Sequence, residues 1–266
     1  RPEAGQASAR SGPLGATSRA AYAVRIHVDA WIDQLREVFF DEPGKTLGAT
    51  MPVTTQADLG LPENVRFTRN RVAFSVLNIQ GSNNSLQPWT GLGETAATPG
   101  QVAEVEHRTD AVVAQIHDTF ADAERRNDRA VVLMTQADMF DSSQLAGATA
   151  NPDTVSGFRD IVQAIIDETN SFDAPVYLIN GDSHVFAENR PLAEGSPWLE
   201  VYGQPAAKDL QRITVDGSAN ATNYVRFIVA GNADDGGRPR RRPLLTSSHV
   251  TGPVGRACLL PRSGDA

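Results

Sequence analysis

The chain has 266 residues, a net charge of −8 and a sequence pI near 5.1, and 40% of its residues are hydrophobic. That apolar share supports an ordinary buried core and excludes global disorder. The acidic balance argues against a general nucleic-acid binder, whose affinity comes from a basic surface, and the single cysteine, Cys258, excludes both an intramolecular disulfide framework and a cysteine-based zinc cage.

Residues 1–21, rich in Gly, Ala, Ser and Arg, read as a flexible lead-in. The chain opens on Arg1, with no apolar signal core behind it, which reads as a processed, trimmed or partial product. Between Tyr22 and Phe40, Val24, Val28, Trp31, Leu35 and Phe39 recur at near-helical spacing and predict an amphipathic helix ended by Pro43-Gly44. A loop over 45–62 leads into the runs 64–68 and 71–80, which predict a hairpin turning at Arg69-Asn70. The second run breaks into Gly81-Ser82-Asn83-Asn84, and a Gly/Thr-rich loop carrying Trp89 follows.

Thr98-Pro99-Gly100-Gln101 has the form of a capping box with proline at the first helical position. The helix it opens runs to about Asn127, with Val102, Val105, Val112, Ile116 and Phe120 as its apolar stripe. The run 130–135 is short, apolar and β-branched, as expected of a buried strand, and stops at Gln136-Ala137-Asp138. Asn151-Pro152 opens a further helix with Val155, Phe158, Ile161, Val162, Ile165 and Ile166 inside. Val176, Tyr177, Leu178 and Ile179 form the next strand, and 210–217 with 223–231 read as a second hairpin. The stretch 236–266, rich in arginine and proline, reads as an irregular, solvated tail. Apolar strands alternating with amphipathic helices predict an α/β or layered α+β domain over 22–235. No apolar stretch approaches the roughly 18 residues of a membrane helix.

Three strands run into polar clusters: Asn83-Asn84, Asp138, and Asp182 with His184. Ligands of open α/β sheets bind just outside the carboxyl ends of strands, so these clusters converge if their strands are neighbours. Each also has a plain structural reading. Asn83-Asn84 tolerates left-handed backbone, and Asp138 and Asp182-Ser183 suit turns or caps. His107 and His117 on the long helix read as solvated, and Trp89 and Trp198 as packing or binding residues in loops.

Two chemistries suit the cluster after residue 179. Gly181-Asp182-Ser183 resembles the nucleophile block of GDSL-type serine esterases, in which a serine needs a histidine base and an orienting acid. Gly231-Asn232-Ala233-Asp234 echoes a later block of that family, but His249 follows Thr246 where the family carries aspartate, and Ser183 stands late in the chain. The second chemistry is a metal site. Carboxylate, amide oxygen and imidazole are ligands for manganese, iron and zinc, and Asp182 and His184 flank a single residue.

A wider resemblance favours the metal. The blocks LREVFF, PENVRF, FSVLNIQGSNNSLQPW, VVLMTQADMFD and VYLINGDSHVFAENRPL resemble, in order and character, those of a bacterial branch of the calcineurin-like metallophosphoesterases, over about Trp31 to Val229. That resemblance implies a layered α/β/β/α sandwich and hydrolysis of a small phosphorylated substrate by metal-activated water. It places Asp182 and His184 at the family's last metal-binding motif and Asp138 near the lone histidine of the motif before, with Asn83 and Asn84 lining the pocket. The family's early Asp-x-His, Gly-Asp-x-x-Asp and Gly-Asn-His-Asp/Glu motifs do not occur here; His27 and Asp29, inside the first helical pattern, are the metal-capable residues nearest that place. The resemblance therefore implies the C-terminal part of such a domain with an incomplete metal site, in a truncated or inactive form.

Overall fold

A computed structural model describes residues 32, 34–48, 50–217, 223–229 and 245–251. Nine strands are found among them: β1 (Thr54–Gln56), β2 (Leu61–Arg69), β3 (Val72–Leu77), β4 (Val131–Thr135), β5 (Val176–Asn180), β6 (Ala187–Asn189), β7 (Leu210–Thr214), β8 (Asn223–Val229) and β9 (Leu245–Thr251). The helices are α1 (Pro99–Arg126), α2 (Leu145–Ala150), α3 (Arg159–Ser171) and α4 (Pro197–Tyr202), with a 3₁₀ segment over Pro152–Phe158.

Seven strands form one mixed sheet in the order β1-β2-β3-β4-β5-β7-β6, and β8 pairs with β9 apart from it. The centre, β3-β4-β5-β7, is parallel; β1 and β2 on one side and β6 on the other are antiparallel. The fold is thus mixed α/β. Each new parallel strand is laid on the same side of the last. Because such crossovers are right-handed, successive connections place their helices on the same face. The burial agrees. Val131, Leu133, Val176, Leu178 and Leu210 share a core with Ile116, Phe120, Ile161 and Ile165 of the helices. Their neighbours Val132, Tyr177, Ile179 and Ile213 point to the opposite face, where Val225 of β8 packs.

The predicted elements and the folded ones differ in instructive ways. The hairpin β2-β3 turns on Asn70 and Arg71, with φ 52° and 59°, one residue later than expected. Positive φ at both central positions is the hairpin turn whose twist matches its strands. The capping box at Thr98 and Gln101 is present with both hydrogen bonds, and Asn127 ends α1 in left-handed geometry. Asn151 caps a 3₁₀ segment, and the α-helix begins only at Arg159. The loop expected over 45–62 contains β1, a strand too short to show a period. The second hairpin is not formed: β7 enters the main sheet beside β5 and β6, while β8 takes β9 as partner. β9 itself lies in the stretch read as an irregular tail. Of the first helix, backbone over 34–39 is helical, yet Leu35 and Phe39 are exposed, so the expected inner stripe is not buried there. Val24, His27, Val28, Asp29 and Trp31 lie outside the described residues, as does Gly231-Asn232-Ala233-Asp234. Trp198 packs on Phe140 and Tyr202, so its role is in the core. Among the described residues no helix is long and apolar enough to cross a membrane.

One ion pair ties the early segment to the sheet. Arg36 donates from Nη2 and Nε to the carboxylate of Glu63 at 2.8 and 3.2 Å, and Asn78 Nδ2 adds a third bond at 2.8 Å. Burial pushes the Glu63 carboxyl up, but Arg36, a backbone N–H and Asn78 together outweigh it and hold the carboxyl below its ordinary range. A depressed folded-state pKa contributes stability that is present above the unfolded value of about 4.3 and lost as pH falls through the folded value. Glu63→Gln is therefore expected to lower stability at neutral pH and to flatten the acid limb of the stability–pH curve, measured by urea unfolding between pH 3 and 7; an unchanged acid limb would refute the assignment.

Candidate functional site

The parallel strands end together, and backbone hydrogen bonds lock their ends in register. Ala137 N donates to Ile79 O at 3.1 Å, Gly181 N to Gln136 O at 3.1 Å, and Val215 N to Asn180 O at 2.8 Å. The segments after β3, β4, β5 and β7 are thereby neighbours along one edge, which is the condition the sequence pattern set for their polar clusters to converge.

Backbone strain concentrates at this edge. Ser82, Asn83, Asn84 and Ser85 form a single left-handed turn, with φ between 54° and 68°, and Asp182 and His184 have φ 71° and 61°. Each left-handed residue other than glycine costs about 1–2 kcal/mol. Six of the nine such residues in the described structure lie in these two segments.

The turn is held from beneath by side chains. Arg108 of α1, with 1% of its side chain exposed, donates to Asn84 Oδ1 through Nη1 and to Asn84 O through Nη2 at 3.1 Å. Its Nε and Nη2 also meet the Glu104 carboxylate. Asn84 Nδ2 donates to Thr109 Oγ1 and Gly157 O, each at 3.0 Å. Asn83 Oδ1 accepts from Gly157 N at 2.8 Å, and its Nδ2 reaches Asp153 O and Ser156 Oγ. Gly157 has no room for a side chain, since a Cβ there would sit 2.4 Å from Asn83 O. The amides of the expected pocket residues Asn83 and Asn84 are thus engaged by the protein itself, that of Asn83 from a part-exposed position. Asn84 is fully buried, and both serve the turn rather than an open pocket.

Asp138, expected as a ligand or a neighbour of one, is committed elsewhere. Its carboxylate pairs with Arg212 of β7, with 3% and 5% of the two side chains exposed, and Oδ1 also accepts from Phe140 N at 3.0 Å. Arg212 Nε donates to Asn189 Oδ1 at 3.0 Å. Burial pushes the Arg212 guanidinium down, and Asp138 and Asp141 offset part of that. Close by, Tyr202 donates to Met139 O at 2.6 Å; burial and the Asp138 charge both raise its pKa, so it stays protonated.

Asp182 and His184, in contrast, are exposed at the edge. Asp182 leans across the end of β4: Gln136 Nε2 donates to its Oδ1 at 2.9 Å, while its Oδ2 lies 2.6 Å from where a Cβ on Gly81 would stand. Gln136 Oε1 in turn accepts from Gly81 N at 2.9 Å. His184 lies on the other side, against Gly217 beyond β7, where a Cβ would come within 2.4 Å of its Cγ. Ser183 donates its backbone N–H to Gly181 O at 3.0 Å. His117 bonds Glu168 Oε1 and His107 meets Leu59 O, both on the exposed face of α1.

The donors therefore fit a divalent ion only in part. Asp182 and His184 have the right chemistry and are accessible; Asp138 is spent on Arg212. Among the described residues no group of three or more His, Cys, Asp or Glu stands ready to hold a metal, whereas catalytic zinc sites, for example, use three protein ligands. Two residues that matter here were not singled out from the sequence. Arg108 sits on the apolar stripe of α1 between Val105 and Val112, so a charge at a core position was the available signal. Gln136 stood beside Asp138 in the same cluster, but only the fold shows which of the two reaches Asp182.

No protein-family model matches the sequence, and no curated protein or solved structure matches it.

Proposed function

We propose that the chain is a phosphoesterase-like α/β domain of the metal-dependent kind, acting on a small phosphorylated ester, with the carboxyl edge of its sheet as the working face. Asp182 and His184 are its metal donors, in an incomplete set. One observation carries this reading: both residues are exposed and both are held in left-handed backbone at one strand end, beside the left-handed turn 82–85. Strain of this kind persists only where its surroundings over-determine it, and it clusters at functional sites. The resemblance of the five sequence blocks named above supports a metallophosphoesterase-like reading, and manganese, iron or zinc suits an oxygen and imidazole pair. The layered α/β/β/α sandwich belongs to the same reading. Helices cover one face of the main sheet, and the apolar second face, on which Val225 packs, is where a second sheet would lie.

A bound divalent ion would supply Lewis acidity and an activated water. The chain's own contribution is to hold a carboxylate and an imidazole at the strand end, and to keep Asp182 oriented through Gln136. Purified protein assayed for bound manganese, iron and zinc, and for aryl-phosphate hydrolysis with and without chelator, tests the proposal. Slow, chelator-sensitive hydrolysis is expected, lost in Asp182→Ala and in His184→Ala. Aryl-ester hydrolysis that ignores chelator and is blocked by a serine-reactive phosphonate would replace this reading with a serine esterase using Ser183. Neither metal nor hydrolysis of either kind would leave a degenerate domain that has kept the fold.

A further inference from the structure

We infer that the chain dimerises through its first helical segment, whose apolar stripe pairs antiparallel with the same stripe of a second copy. The helical backbone over 34–39 rests on the domain by one side. Arg36 holds that side through Glu63, and Ile32 and Phe40, one turn before and after it, are half-buried. Leu35, Val38 and Phe39 are turned away, with 51%, 58% and 47% of their surface exposed. Their spacing, i, i+3 and i+4, puts them together on one face. Single exposed apolar residues are ordinary, but a run of large ones along one helix face marks an interaction surface.

The stripe continues in the sequence beyond the described residues. Val24, Val28, Trp31, Leu35 and Val38 follow one another in alternating steps of four and three. That is the heptad seam by which one helix packs its knobs into the holes of another. The occupant is therefore a helix with a matching seam. The stretches 1–21, 230–244 and 252–266 are rich in Gly, Pro and Arg and show no such stripe, so none of them supplies it. A second copy of the chain does. Charge fixes the direction. The stretch 19–28 carries Arg19 and Arg25 and no acid, whereas 29–42 carries Asp29, Asp33, Glu37, Asp41 and Glu42 against Arg36. Antiparallel pairing sets the basic half of each copy against the acidic half of the other, twice, as a two-fold axis requires. Parallel pairing would set like charges side by side. In the antiparallel order Val24 lies over Leu35 of the second copy and Val28 over its Trp31.

The test is the solution mass of the whole chain by sedimentation equilibrium. Wild type is expected at twice 28.5 kDa, and Leu35→Asp/Val38→Asp at the mass of one chain with an unchanged circular dichroism spectrum. Val38→Arg serves if the double variant folds poorly. Leu47→Asp, at a residue 63% exposed outside the stripe, should keep the dimer. For the direction, Val24→Cys and Leu35→Cys are made in a Cys258→Ser background. Mixed and mildly oxidised, the two should form a disulfide-linked pair, while neither should crosslink alone. Self-crosslinking of each variant alone would overturn the antiparallel order. A two-chain mass that survives Leu35→Asp/Val38→Asp would overturn the stripe as the interface. Wild type at the mass of one chain would overturn the dimer. In that case a Leu35→Cys thiol slow to react would assign the stripe to another segment of the same chain, and a fast one to a foreign partner.

Discussion

Arg108→Met is expected to lower the stability of the chain by about 3 kcal/mol, because it strands the two buried oxygens of Asn84, each costing about 1–3 kcal/mol, and frees the half-exposed Glu104 carboxylate at little cost. The guanidinium reaches Asn84 Oδ1, Asn84 O, Asn78 O and the Glu104 carboxylate. Methionine fills much of the volume and satisfies none of these groups. The loss also removes the clamp on four left-handed residues, each held about 1–2 kcal/mol above its relaxed backbone. Arg108→Lys should rescue little, since one ammonium on a flexible stem does not reproduce a planar fork of donors. Urea unfolding with the m-value held in common provides the measurement. Arg125, with 69% of its side chain exposed on the same helix, is the control. A loss in Arg108→Met no larger than in Arg125→Met would refute the clamp.

This expectation could not be formed from the sequence, although its parts were in view. The capping box, the buried strands β4 and β5 and the stripe Val105-Val112-Ile116-Phe120 were legible because local hydrogen bonding and apolar periodicity specify them directly. Arg108 falls on that stripe, but periodicity does not say what a buried guanidinium meets. Its partner turn lies 24 residues away in sequence. Asn83-Asn84 signalled left-handed backbone correctly. Whether their amides faced a pocket or the interior depended on Gly157, across 74 residues.

The misread hairpin follows the same logic. β7 and β8 each look like a strand, and their separation suits a turn. What decides the pairing is the vacant edge of β5. Its five buried residues need a neighbour on each side, and β7, with Leu210, Arg212, Ile213 and Thr214 buried, fits there in parallel. A local pattern reports that a strand exists and on which face it is apolar. The choice of partner is settled by tertiary burial. That the strand ends lie side by side was legible for a different reason: it needed only that β3, β4, β5 and β7 be parallel neighbours, which the alternation of helix and strand already favours. The polar side chains at those ends do not meet, since Asp138 pairs with Arg212 while Asp182 packs on Gly81 and His184 on Gly217.

Asp138→Asn is the second substitution with a large expected effect, about 3–5 kcal/mol of lost stability, the usual consequence of removing one partner of a buried ion pair. The variant isolates the charge. Asparagine keeps an oxygen for Phe140 N, so the local turn is preserved, while Arg212 is left buried without its anion. Arg212→Met alone should be similarly costly, because it leaves a carboxylate of which only 3% is exposed. The double variant Asp138→Leu/Arg212→Met should recover much of either loss, since well-packed apolar residues often replace a buried pair at little cost. Recovery will be incomplete, because Phe140 N and Asn189 Oδ1 each lose a partner. The same variants bear on the site. If the Asp138 carboxylate belongs to Arg212 and not to a metal, folded Asp138→Asn protein will bind Mn²⁺ as wild type does, while Asp182→Ala will not. A fall in Mn²⁺ affinity in Asp138→Asn comparable to that in Asp182→Ala would return Asp138 to the ligand set, and would mean that Arg212 yields the carboxylate when the ion arrives.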